Sequence, residues 1–82
     1  MKTHEHHSCT LAAGRVQTDY RVVELTADAA TQRRLHSLGL DKGRIVRKIS
    51  GQFFKGPIVL RVNGTDLAIG HTMATHIKVE TT

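Results

Sequence analysis

The chain has 82 residues, a formal net charge of +5 and a single cysteine. A chain of this length makes one small domain that buries only about 60–65% of its unfolded surface, which leaves no room for a full core beside a deep substrate cleft. One cysteine excludes an internal disulfide, so a reducing compartment fits best.

No apolar run approaches the ~18–20 residues needed to cross a bilayer. The start lacks the apolar centre of a secretory signal. The expectation is a soluble, cytoplasmic protein with no integral membrane insertion. In the first nineteen residues Lys2 and Arg15 balance Glu5 and Asp19, so the charge surplus lies in the rest of the chain. A basic folded domain favours an acidic partner, although the same charge also serves plain solubility.

Residues 1–19 are polar, begin with histidines and offer few groups to bury. They are expected to form a flexible, His-containing extension, with the domain proper over residues 20–82. Residues 20–25 are the first strand candidate. Thr26 or Asp28 can cap the helix that follows, which runs to about Leu38. Leu35 and Leu38 are three apart and are expected to face inward together. Gly39 can take the left-handed conformation that closes a helix, and Leu40 can then fold back on the last turn. Asp41, Lys42 and Gly43 form a turn signal.

Residues 44–50 read as a strand with one wet face. A loop follows over residues 51–57, with Phe53 and Phe54 side by side. Residues 58–62 and 65–69 form the clearest hairpin, because Asn63-Gly64 is the preferred pair for a two-residue type I′ turn. That turn places Val62 opposite Thr65, Leu60 opposite Leu67, Ile58 opposite Ile69, and Arg61 opposite Asp66. Residues 71–76 suit one helical turn with Met73 inward, and residues 77–79 a short last strand. Five short strands in so few residues suit a small, strongly bent barrel with the helix at one end. Leu35, Leu38, Leu40, Val46, Leu60, Leu67, Ile69 and Ile77 are its expected core.

Taken in order, several segments resemble the FeoA family, small cytosolic accessory proteins of bacterial ferrous iron transport. They are Arg34-Leu35, Leu38-Gly39-Leu40, Gly43 opening a strand, Lys55-Gly56-Pro57-Ile58, the hairpin with Leu60-Arg61-Val62-Asn63-Gly64 and Leu67-Ala68-Ile69, and Ile77-Lys78-Val79. The resemblance covers about residues 20–80. It implies an SH3-like barrel and a partner, the FeoB-type ferrous iron transporter with its cytosolic GTP-binding domain. Similar barrels end the DtxR-type metal-dependent repressors. The chain departs from the family at Lys42, where proline is frequent, and in its His-rich start.

Three function classes follow. The first is a non-enzymatic interaction module that needs no cofactor. Its contacts would come from the helix with Arg34, from the turn with Leu38, Gly39, Leu40, Lys42 and Gly43, and from the loop with Phe53, Phe54, Lys55 and Pro57. The second is a nucleic-acid-binding barrel, in which Arg33, Arg34, Lys42, Arg44, Arg47 and Lys48 meet phosphates and the two phenylalanines stack on bases. Nucleic acid is the disfavoured partner, because five net charges over a whole domain is modest for such a binder. The third is a transition-metal module: His4, His6, His7 and Cys9 lie within six residues, and imidazole and thiolate suit iron or zinc. Their spacing does not match a closed structural zinc site. An enzyme finds no support. The sequence has no Gly-rich phosphate loop ending in Lys-Ser/Thr, and no residue pattern that fixes a base beside a nucleophile.

Overall fold

The structure is a computed structural model and describes residues 8–51 and 56–82. The elements in chain order are β1 (Ser8–Thr10), β2 (Thr18–Leu25), α1 (Ala29–Ser37), β3 (Ile45–Ser50), β4 (Ile58–Val62), β5 (Thr65–Ile69), α2 (His71–Ala74) and β6 (Ile77–Thr81). The strands make one antiparallel sheet in the order β1-β6-β2-β3-β4-β5. Its register shifts between Val22 and Glu24 on β2 and between Lys48 and Ser50 on β3. Such irregularities bend a strand and raise its twist, and the sheet wraps one continuous apolar core. The fold is the mainly β, SH3-like one expected, with α1 between the first two long strands.

The alternation of side chains follows the sequence closely. On β2, Tyr20 and Val22 are buried while Asp19 and Arg21 face water. On β4, Ile58, Leu60 and Val62 are buried and Arg61 is exposed. Asn63 and Gly64 have φ of 54° and 79°, and the hairpin keeps every expected pairing. Arg61 bonds both carboxylate oxygens of Asp66, at 2.7 and 3.2 Å, which holds the Asp66 carboxyl below its ordinary pKa. Replacing Gly64 with valine forces a β-branched residue into a left-handed position. It should cost at least about 1–2 kcal/mol, read as a lower urea midpoint at unchanged slope.

Three expectations need correction. The first is the domain boundary. Residues 8–19 belong to the domain: β1 pairs with β6 through Ser8↔Glu80, Cys9↔Val79 and Thr10↔Lys78. Leu11 is fully buried, and its N–H donates to the Ile77 carbonyl at 2.8 Å. The strands therefore number six among the described residues, and the supposed extension supplies both an edge strand and a core leucine. Residues 1–7 lie outside the described residues.

The second correction is Leu38, which leaves the core list at 38% exposure. The third is Lys48, which leaves the basic face and is fully buried. On β3 the alternation set by Val46 carries straight to Lys48, so its stem enters the core. Its Nζ donates to the Ala12 and Gly14 carbonyls at 3.0 and 2.8 Å. A buried ammonium is tolerable when such acceptors surround it. Burial still pulls the Lys48 pKa below the ordinary lysine value.

Leu35, Leu40, Val46, Leu60, Ile69 and Ile77 are buried as expected, and Leu67 and Met73 pack half-buried against them. Leu11, Tyr20, Val22, Val62, Ala74, Val79 and Ile58 complete the cluster.

Candidate partner-binding surface

Helix α1 starts on Asp28, whose carboxylate accepts from the Thr31 N–H at 2.8 Å. That bond holds the Asp28 carboxyl below its ordinary pKa. The helix ends on a tight cap. The Gly39 N–H donates to the His36 carbonyl and the Leu40 N–H to the Leu35 carbonyl, both at 2.9 Å, with Gly39 at φ 87°. This is the two-bond closure in which the residue after the glycine folds back onto the last turn. Leu40 takes that apolar contact and is fully buried with Leu35. Leu38, at the C-cap itself, is left pointing outward. The closure thus explains both why Leu38 leaves the core and why Leu40, expected among the contact residues, cannot touch a partner.

The turn beyond is braced from two sides. Arg44 Nε donates to the Gly39 carbonyl at 3.1 Å, and its Nη1 to Asn63 Oδ1 at 2.9 Å. The Asp41 carboxylate lies 3.8 Å from Arg44 Nη2 and also meets His36 Nδ1. The Gly43 N–H donates to the Val22 carbonyl at 2.7 Å. These bonds fasten the helix end, the turn and the β4–β5 hairpin tip into one unit. Asp41, Lys42, Gly43, Arg44, Ile45 and Asn63 line a shallow open groove of about 480 Å³ there. A Cβ on Gly39 would sit 3.3 Å from Val62 Cγ1, so the turn rests closely on the hairpin.

Among the described residues the only large hydrophobic side chains classed as exposed are Leu38 and Ile45, at 38% and 42%. They bracket this turn. Arg34 precedes Leu38 by four residues and so shares its side of the helix. Arg34 and Lys42 are exposed, and neither makes an ion pair among the described residues. The helix end and the turn thus carry two exposed apolar side chains at their flanks and two cations without an ion pair among the described residues. Ile45 was not among the expected contacts. Its place as the first residue of a strand whose inward set begins at Val46 was the signal available.

Pro57 is exposed ahead of β4, while Phe53, Phe54 and Lys55 lie outside the described residues. The basic face does not assemble as a free phosphate surface. Lys48 is buried, Arg47 is paired with Asp19 at 3.1 Å and Arg44 is spent on the turn. His4, His6 and His7 lie outside the described residues. Cys9 is fixed on β1, half-buried against the core, where burial raises the thiol pKa and the Lys48 ammonium opposes the rise. No group of three metal-ligating side chains comes together among the described residues. No helix among them is long and apolar enough to cross a membrane.

The chain is similar to the crystal structure of an iron uptake regulatory protein, FeoA, at 25% identity. The TM-score is 0.81, and the match covers 89% of this chain and 95% of that one. It is similar to the solution structure of the FeoA protein from Chlorobium tepidum at 26% identity and TM-score 0.78, over 88% of this chain and 69% of that one. A manganese-dependent transcriptional repressor shares the fold at 22% identity and TM-score 0.82. The match takes in 92% of this chain but 42% of the repressor. No curated protein matches the chain. The FeoA domain profile matches residues 9–81, from β1 to the end of β6. The chain therefore belongs to the FeoA domain family, whose role is tied to ferrous iron transport.

Proposed function

We propose that this protein is a non-enzymatic cytosolic accessory module that binds the cytosolic GTP-binding region of a FeoB-type ferrous iron transporter. Family membership supports the iron-transport setting. The observation that carries the choice of surface is the exposure of Leu38 and Ile45 on either side of one braced turn. Among the described residues these are the only exposed large hydrophobic side chains, and exposed apolar surface rimmed by polar groups is a mark of an interaction site. Arg34 and Lys42 beside them favour a partner face that is apolar at its centre and acidic at its rim. The mechanism is contact: the docked barrel changes nucleotide turnover or gating by binding one conformation of its partner better than another.

Calorimetric titration of the isolated GTP-binding region with this chain tests the proposal. The expected result is one-to-one binding that weakens only modestly between low and physiological salt, since apolar contacts carry most of it. Binding to random RNA that falls steeply with salt, without binding to the transporter region, would instead favour the nucleic-acid reading.

A further inference from the structure

Strand β5 ends the sheet order, so among the described residues one of its edges has no neighbouring strand. In a two-residue hairpin the residues flanking the turn form a hydrogen-bonded pair. The pairs Val62↔Thr65, Leu60↔Leu67 and Ile58↔Ile69 therefore exchange backbone bonds with β4. The N–H and C=O groups of Asp66 and Ala68 are left pointing away from the sheet. No described residue bonds to them. Edge strands are normally blunted by a proline, charged side chains, a bulge or extreme shortness, and the one charge on β5, Asp66, is paired with Arg61. β5 is Thr-Asp-Leu-Ala-Ile, five residues in unbroken register. The opposite edge, β1, has three residues.

The pattern of groups on this edge is self-complementary. A two-fold axis through Leu67 sets Asp66 opposite Ala68 of a second copy and Ala68 opposite Asp66. All the outward N–H and C=O groups of both strands then bond. The carboxylates do not meet, because each Asp66 faces the smallest side chain on the strand and is already held sideways by its own Arg61. Leu67, half-buried against the core, meets Leu67 of the second copy on the axis, where side chains of a non-hydrogen-bonded pair come closest. Other centres fail. One on Asp66 puts two carboxylates face to face. One on Ala68 needs the Gly70 carbonyl, which already accepts from the Ala74 N–H at 3.1 Å.

We infer that two copies of this chain associate through their β5 edges, antiparallel about Leu67, to form one sheet continuous across the pair. Asp66, Leu67 and Ala68, which make this pairing, do not line the groove at the turn that carries Ile45. The paired surface is small for an interface, so the association is weak and reversible.

The test is the mass in solution of the full chain, by light scattering, from micromolar to millimolar concentration. The mass should rise from 9.1 kDa toward twice that value. Ala68→Pro removes an outward N–H without touching a bond to β4, a place where an edge strand tolerates proline. It should stay at the single mass throughout, with a melting temperature close to that of the unaltered chain when dilute. Amide exchange on the unaltered chain needs no variant: protection at Asp66 and Ala68 should grow with concentration while that at Leu67 stays constant. A single mass over the whole series would overturn the inference. So would association of Ala68→Pro equal to that of the unaltered chain, or protection at Asp66 and Ala68 independent of concentration.

Discussion

Lys48→Ala should be among the most damaging single substitutions in this chain, costing about 3 kcal/mol or more. Two effects add. Truncation removes a fully buried stem and leaves a cavity, an effect of about 2–5 kcal/mol for long side chains. It also orphans the Gly14 carbonyl, which is buried, and the half-buried Ala12 carbonyl; an unsatisfied buried acceptor costs about 1–3 kcal/mol. A domain of this size holds roughly 4–12 kcal/mol in total, so much of the population should unfold on mild heating. Lys48→Met keeps most of the packing and removes a buried charge, so it should cost clearly less.

The pH dependence has a definite sign. Burial depresses the Lys48 pKa, so the folded state releases this proton at lower pH than the unfolded chain does. Between the two values the unfolded chain binds more protons, and the Lys48 contribution makes stability rise with pH. That contribution should be missing from Lys48→Met. Urea denaturation of the three proteins at several pH values measures both effects. An alanine variant as stable as the parent would mean that Lys48 and the loop it grips do not matter to the fold.

The second large effect concerns binding. Leu38→Ser together with Ile45→Thr should weaken association with the transporter's GTP-binding region by about 100-fold or more. Apolar anchors at an interface centre commonly contribute about 2 kcal/mol or more each, and about 1.4 kcal/mol is tenfold. Both side chains are exposed in the free protein, so the melting temperature should barely change. Lys78→Ala, on exposed β6 surface, should leave binding nearly intact. If the double variant binds as tightly as the parent, the turn is not the contact surface.

The sequence was most informative where one local rule acted alone. Asn63-Gly64 dictated the hairpin and its register, because a two-residue turn leaves no freedom in strand pairing. Gly39 and Leu40 announced the helix closure for the same reason. The reading failed where two local rules competed. Leu38 satisfies helical periodicity with Leu35, but the cap ends the helix at Leu38 and gives the inward contact to Leu40. Lys48 carries a charge that argues for water, while the alternation from Val46 argues for the core; the carbonyls that settle the contest lie 34 and 36 residues away in sequence. Strand β1 has three residues and no pattern of its own. Only pairing with β6, some seventy residues away, makes it a strand. Long-range partners of this kind leave no local trace. Of the residues in the proposed contact, Arg34, Leu38, Lys42 and Gly43 were already suggested by the turn in the sequence, whereas Ile45 enters through its exposure in the structure.

The most direct test of the proposed contact is to map it residue by residue. Isotope-labelled chain titrated with the unlabelled GTP-binding region should show amide shift changes concentrated on Arg34, Leu38, Lys42 to Ile45, and Asn63. Residues of β1 and β6 should remain unperturbed. Changes centred on β1 and β6, or no change at saturating partner, would contradict the account.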